Sequence, residues 1–231
     1  VTDAVWKAEK NLPIMHSENL IENTITFVKE KLTGIEAGHN WFHTERVWKN
    51  ARTICSQENA EIIVVELAAL LHDVADAKFN NGDEELGSKL AASFLTKQGV
   101  DHKTVEHVEN IIRNVSFAGG NHQKDFDSLE LKIVQDADRL DAIGAIGIAR
   151  AFNYGGYKGR ELYDPEIPAR IGMTKEEYRR HASPTINHFY EKLLLLKDKM
   201  NTETAKKIAE QRHAFLQLFL ERFLLEWEGK L

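Results

Sequence analysis

The chain has a single cysteine, Cys55, so no internal disulfide framework can hold it together. Cys55 reads as a small buried hydrophobe, and a reducing cytoplasm is the expected setting. Long apolar runs are also missing: stretches such as residues 67–71 are far too short to span a bilayer. The first ten residues, VTDAVWKAEK, are charged and hold no apolar stretch of the kind a signal peptide needs. No block of like charge occurs, and the net charge is −6. A general nucleic-acid groove requires a basic stripe that displaces counterions, so that class is set aside. A small anionic substrate in a local cationic pocket remains compatible with an acidic chain. Strand signals, meaning alternation bounded by turns, are scarce.

Helical periodicity fills the space these absences leave. Hydrophobic residues make up 42% of the 231 residues, enough for a sizeable core. The spacing predicts a helix over 17–32, with Ser17 as a cap and Gly34 as its stop. A second helix is predicted over 40–57, capped by Asn40, with His43, Val47, Ala51 and Ile54 on one face. The third, from about 60 to 74, is apolar nearly all round and therefore central. Helices over 83–97 and 101–115 follow, separated by Gly99, with Asp101 capping the second. FAGGN at 117–121 reads as a loop.

One long buried helix is predicted over 128–152, with Gly144 and Gly147 inside it, where close approach of another helix would explain them. Residues 153–173, with Gly155, Gly156, Gly159 and two of the four prolines, read as a flexible loop of the kind that forms lids. Helices near 184–199 and 203–228 complete the pattern. The last carries apolar surface enough for a core and a partner chain, so a homodimer is expected. The expected fold is one all-α domain, a helical bundle spanning 1–231.

Polar residues stand where this pattern asks for apolar ones. His43 lies on the buried face of its helix, His72 and Asp73 end the most apolar helix, and Asp136, Asp138 and Asp141 interrupt another. Buried carboxylates are costly unless paired or bound to metal. Taken singly, each has an ordinary explanation, such as a hydrogen-bonded core histidine or an aspartate facing an arginine. His72 and Asp73 also point about 100° apart on an ideal helix, so geometry alone does not group them. Two imidazoles and two carboxylates, if gathered, would suit Mn, Fe, Co, Ni, Mg or Zn.

Three strings in order, AGHNWFHTERV at 37–47, ELAALLHDVADAKF at 66–79 and QDADRLDAIGAIGIARAF at 135–152, change that weighing. Together they resemble the HD-domain metal-dependent phosphohydrolase superfamily, and within it a bacterial subgroup of nucleotide pyrophosphohydrolases. The resemblance implies a helical bundle and a metal held by His43, His72, Asp73 and Asp138. It implies one divalent ion, manganese foremost, with Co, Ni, Fe, Mg or Zn as alternatives. The two-metal members carry HDxGK, and this chain has HDVAD, although His102, His107 and His122 lie between the metal motifs. Relatives place a catalytic acid, usually glutamate, where Asp76 stands; the shorter aspartate changes its reach. His39 is left as a supporting or structural residue, and Asp136 and Asp141 as salt-bridge partners or residues orienting a ligand histidine.

A phosphate ester needs positive charge around its oxygens, and Lys78, five residues past Asp73, is the foremost candidate to supply it. Arg46 and Arg139 read equally as substrate contacts or as partners of nearby carboxylates. Lys158 and Arg160, in YGGYKGR, could hold phosphate, with Tyr154 or Tyr157 stacking on a base; an ordinary solvated loop is the alternative. The expected reaction is hydrolysis of a nucleoside triphosphate to monophosphate and pyrophosphate. The alternatives are a nucleotidase releasing phosphate and a non-catalytic nucleotide-sensing module.

Overall fold

The structure, a computed structural model, describes residues 14–34, 40–75, 85–115, 126–172 and 183–231. Among them every regular element is helical, as the periodicity predicts. The α-helices are α1 (Ile14–Lys31), α2 (Trp41–Cys55), α3 (Ile62–Leu71), α4 (Leu86–Lys97), α5 (His102–Val115), α6 (Leu129–Asp141), α7 (Gly144–Tyr157), α8 (Thr185–Glu191) and α9 (Glu203–Trp227). Two short 3₁₀ turns, Leu193–Leu195 and Lys197–Lys199, lie between α8 and α9. None of the described helices is long and apolar enough to cross a membrane.

Local chemistry sets several boundaries. The Asn40 Oδ1 accepts from the amides of Phe42 (3.1 Å) and His43 (3.3 Å), which satisfies otherwise orphaned donors at the start of α2. Asp101 caps α5 through the Thr104 amide at 3.1 Å, and the bonds from Thr104 hold its carboxyl below the ordinary carboxylate range. Gly34 and Gly99 take left-handed backbone (φ 80 and 77) just past α1 and α4. Ser17 is not a cap: α1 starts at Ile14, so Ser17 lies inside the helix.

Two larger expectations fail for tertiary reasons. The long helix over 128–152 is two helices, broken at Ala142–Gly144, where Gly144 adopts φ 75. Gly144 does face another helix, since a Cβ there would stand 3.0 Å from the Arg212 Cγ on α9, whereas Gly147 does not. A Cβ on Gly147 would stand 2.2 Å from the carbonyl oxygen of Ala142, so the broken turn folds back onto Gly147. The segment 153–173 is likewise not loop throughout, because α7 continues through Tyr157. Gly155 makes this fit, since a Cβ there would meet Thr185 Oγ1 at 2.2 Å.

The chain divides into two compact units. In one, residues up to Trp48 together with Ala60–Leu131, α3 packs on α1 and α5, and α4 on α5. Phe27 and Phe94 stack there with ring centroids 4.2 Å apart. The core of α3 is complete: Val64, Val65 and Leu67 through Leu71 are fully buried. The other unit comprises Lys49–Asn59 and Lys132–Leu231. In it α9 packs on α7, and Phe152, Phe189, Phe219 and Phe223 form an aromatic cluster with centroid distances of 5.7–6.3 Å. Cys55 is buried, as expected of a small apolar side chain.

Candidate metal centre

His43 is 1% exposed and shares its helix face with Val47, Ala51 and Ile54, all fully buried. Burial of those three apolar side chains fixes the rotation of α2 and turns the imidazole inward with them. On α3 the apolar helix ends at Leu71; His72 and Asp73 occupy the turn that follows, closed by Val74 N–H donating to Leu71 O at 3.2 Å. There the two adjacent side chains converge: His72 Nε2 and Asp73 Oδ2 are 3.5 Å apart. His43 Nε2 lies 3.5 Å from the same Oδ2. The three residues are all buried, and their ligand atoms lie within 4.8 Å of one another.

The protonation pattern follows from one contact. His72 Nδ1 stands 2.8 Å from the carbonyl oxygen of Ala69, and a carbonyl can only accept, so Nδ1 carries the proton. That leaves Nε2 as the ring atom that can offer a lone pair to a metal. That atom is buried and has no hydrogen-bond partner among the described residues. A lone pair and a carboxylate oxygen facing each other in a buried site repel unless a cation lies between them. Two ligands of one small divalent ion, each at roughly 2.1 Å, are separated by about 3.0–3.4 Å in octahedral or tetrahedral geometry. The observed separations of 3.5 Å lie just above that range. The donor set, two imidazoles and a carboxylate with no thiolate, fits a divalent ion of the first transition series or magnesium.

Other residues singled out from the sequence take the following places. Asp138 stands on α6, in the second unit. Asp76, Lys78, His39 and His122 lie outside the described residues. Arg46 is half-buried on α2, one turn after His43. Arg139 is engaged structurally: it donates to the Lys199 carbonyl at 2.7 Å and to Asp136 Oδ1 at 3.3 Å. Asp136, fully buried, accepts from the Thr202 amide (2.8 Å) and hydroxyl (2.9 Å) and from the Asn201 amide, which ties α6 to the start of α9. Asp141 pairs with Arg150. The salt-bridge reading of both aspartates therefore holds. His107 faces Ser128 Oγ (3.1 Å) and Glu130 (3.5 Å), while His102 is exposed.

Lys158 and Arg160 form a cluster with the two tyrosines. Lys158 Nζ lies 4.9 Å from the Tyr157 ring centroid and 5.6 Å from that of Tyr154, and Arg160 lies 5.5 Å from the Tyr154 ring. Backbone bonds from Thr185 to Glu161 O (2.9 Å) and from Ile186 to Leu162 O (3.0 Å) hold this segment against the start of α8. His188 and Lys192, which sequence reading passed over, lie close by. His188 is driven down to about 3, first by burial and then by the charges of Lys192 and Arg160. The spacing of Lys192, four residues after His188 at the end of α8, was the only available signal.

Known proteins resemble this chain along most of its length. A family model of the HD domain matches residues 40–143. The Bacillus subtilis protein YpgQ is 41% identical over 202 residues, which cover 87% of this chain and 90% of YpgQ. The crystal structure of an HD-superfamily hydrolase from Bacillus thuringiensis is 47% identical, with a TM-score of 0.74 over 92% of this chain and 98% of that one. The crystal structure of Bacillus subtilis YpgQ in complex with ADP superposes with a TM-score of 0.73 at 36% identity, over 92% of this chain and 96% of that one.

Proposed function

The chain belongs to the HD-domain phosphohydrolase superfamily, and on that premise we propose that it is a divalent-metal-dependent hydrolase of nucleotides, cutting a nucleoside triphosphate to the monophosphate and pyrophosphate. The observation that carries the metal is the buried, unbonded Nε2 of His72 facing Asp73 beside His43. His43, His72, Asp73 and Asp138 would hold the ion. When bound, a divalent ion, manganese foremost, supplies Lewis-acid polarisation of a phosphoryl oxygen and acidifies water.

The remaining work falls to the protein's side chains. The Asp76 carboxylate takes the proton from the attacking water as its oxygen bonds to the α-phosphorus. The bond from that phosphorus to the bridging oxygen breaks, and pyrophosphate leaves with the bonding pair. Lys78 offsets the charge that builds on the phosphoryl oxygens. Lys158 and Arg160 hold the outer phosphates, and Tyr154 or Tyr157 offers a ring to the base. Support for this placement comes from the two cations resting on exposed tyrosines, where neither forms an ion pair with a described residue. Arg46 is a further phosphate contact; Arg139 joins it only by giving up its bond to Lys199. A homodimer through α9 belongs to the same reading, supported by Phe215 and Leu218, which are 48% and 50% exposed.

ADP in the YpgQ crystal structure supports a nucleotide as the substrate class. It also favours one second reading, cleavage of the terminal anhydride, because that cut turns ATP into ADP and phosphate. Product analysis decides between them. Nucleoside triphosphates are incubated with the protein and Mn, Co, Ni, Mg or Zn, and the products are separated. Monophosphate and pyrophosphate in equal amounts are expected; diphosphate with orthophosphate would replace the first reading by the second. Nucleotide binding without turnover under any of the metals would leave a sensing module.

A further inference from the structure

The helix that carries Asp138 ends in a place where its backbone needs outside help. The last carbonyls of any α-helix lack amide partners. Here α6 stops at Asp141, and the chain turns at Gly144 into α7. Short-range bonds tighten that turn, from Ala142 to Arg139 O at 3.1 Å and from Ile143 to Leu140 O at 3.3 Å. Arg150, on α7, donates to the Asp141 carbonyl at 3.3 Å, and two more side chains of the same unit reach this end of α6. Arg212, on α9, donates from Nη1 to the Leu140 carbonyl at 2.5 Å and from Nη2 to Asn50 Oδ1 at 3.0 Å. Asn50, on α2, donates from Nδ2 to the Ala137 carbonyl at 3.3 Å.

These bonds close a ring: Arg212 to Leu140, Arg212 to Asn50, Asn50 to Ala137. The stretch of α6 that the ring clasps is Ala137–Leu140, and Asp138 lies within it. The stem of Arg212 reaches this position because Gly144 has no side chain. A Cβ there would stand 3.0 Å from the Arg212 Cγ and 3.1 Å from its Cβ. The guanidinium is well suited to the task, since its planar fork reaches two acceptors at once and a cation is favoured at a helix C-terminus.

We propose that Asn50 and Arg212 are positioning residues for Asp138, setting the backbone of the Ala137–Leu140 turn so that the carboxylate is held ready for the metal. The inference rests on the reading of Asp138 as a metal ligand. Groups that orient a ligand are worth about 10–100-fold in metal affinity. The signal in the sequence was Asn50 itself, a polar residue seven after His43 on an otherwise apolar helix face.

The test uses the full chain stripped of metal by a chelator, with manganese(II) affinity measured by calorimetry well below each variant's melting temperature. Four variants are compared: Asp138→Asn, Arg212→Met, Arg212→Lys and Asn50→Leu. Asp138→Asn should lose at least 100-fold. Arg212→Met and Asn50→Leu should each lose about 10–100-fold, and Arg212→Lys should recover part of that loss. A merely structural clasp would lower the melting temperature of the chelated protein and leave the manganese affinity as it was. Wild-type affinity in Arg212→Met and Asn50→Leu, alongside a loss in Asp138→Asn, overturns the positioning role alone. Wild-type affinity in Asp138→Asn overturns the ligand reading and the inference with it. If Arg212→Met does not fold, Asn50→Leu and Arg212→Lys still decide the question.

Discussion

The imidazoles of His43 and His72 lie edge to face, with ring centroids 5.5 Å apart and an interplanar angle of 68°, and each places its Nε2 3.5 Å from Asp73 Oδ2. These three buried polar side chains, one with an Nε2 that has no hydrogen-bond partner among the described residues, form a donor set that a bound cation would satisfy.

The first prediction follows from that donor set. Manganese should raise the melting temperature of the wild-type protein, since a ligand at 100 times its Kd contributes about 2.7 kcal/mol. His72→Leu should abolish this increase. The same variant, measured with chelator present, should lose only about 0.5–1.5 kcal/mol, because it gives up the Nδ1–H bond to the Ala69 carbonyl together with an Nε2 that has no partner among the described residues. Thermal melts with and without manganese check both parts, and an undiminished manganese effect in His72→Leu would remove that residue from the site.

A second prediction separates two glycines of α7. Gly147→Ala drives a Cβ to 2.2 Å from a backbone oxygen, which no side-chain rotation relieves, and should cost about 1–3 kcal/mol. Gly156→Ala meets no other atom within 4 Å and has ordinary helical backbone, so it should gain up to about 1 kcal/mol. Urea unfolding of the two variants should move in opposite directions from wild type. Equal shifts would mean that the turn at Ala142 does not close on Gly147.

The same helix shows what the sequence could and could not disclose. The apolar face of α2 and its capping Asn40 were legible because both depend on residues within two turns of each other. So was Asp101, a cap with its partner three residues on. The break at Ala142–Gly144 was not legible, because the apolar spacing continues across it and the residues that enforce it, Arg212 among them, come from far along the chain. Tyr154–Tyr157 looked like loop because glycine disfavours helix, but Gly155 is helical where it lies against Thr185. In the site, an ideal helix keeps His72 and Asp73 apart. Their convergence required knowing that α3 stops at Leu71. Only the resemblance to a known family grouped them in advance.

The third prediction concerns pH. Burial, then Lys192 and Arg160, lower the His188 imidazole to about 3 from an ordinary 6.5. A depressed folded-state value means that the unfolded chain binds the proton first. Stability from keeping His188 neutral is therefore fully present above pH 6.5 and is lost as pH falls toward 3, at no more than about 1.4 kcal/mol per pH unit for one proton. Carboxylates titrate in the same window, so the comparison is with His188→Asn. The difference in unfolding free energy between wild type and variant should hold steady above pH 7 and fall from pH 6.5 to 4.5. A difference independent of pH would show that His188 titrates normally in the folded chain.

The last prediction concerns Asp76 and Lys78, whose roles follow from the proposed reaction. Neither should be required for metal binding, because His43, His72, Asp73 and Asp138 already supply the protein's share of the ligands. Both should matter for turnover. Asp76→Asn keeps the side-chain volume but loses the proton acceptor, so the rate should fall by roughly 10²–10⁴. Lys78→Ala removes a charge that counts most while phosphorus is under attack, so kcat/KM should fall with kcat contributing to the loss. Metal content and turnover are measured on the same preparations. Full metal with little turnover supports the assignment. Near-normal turnover in Asp76→Asn would mean that the attacking water gives up its proton without a side-chain base, and Asp76 would then have no part in the chemistry.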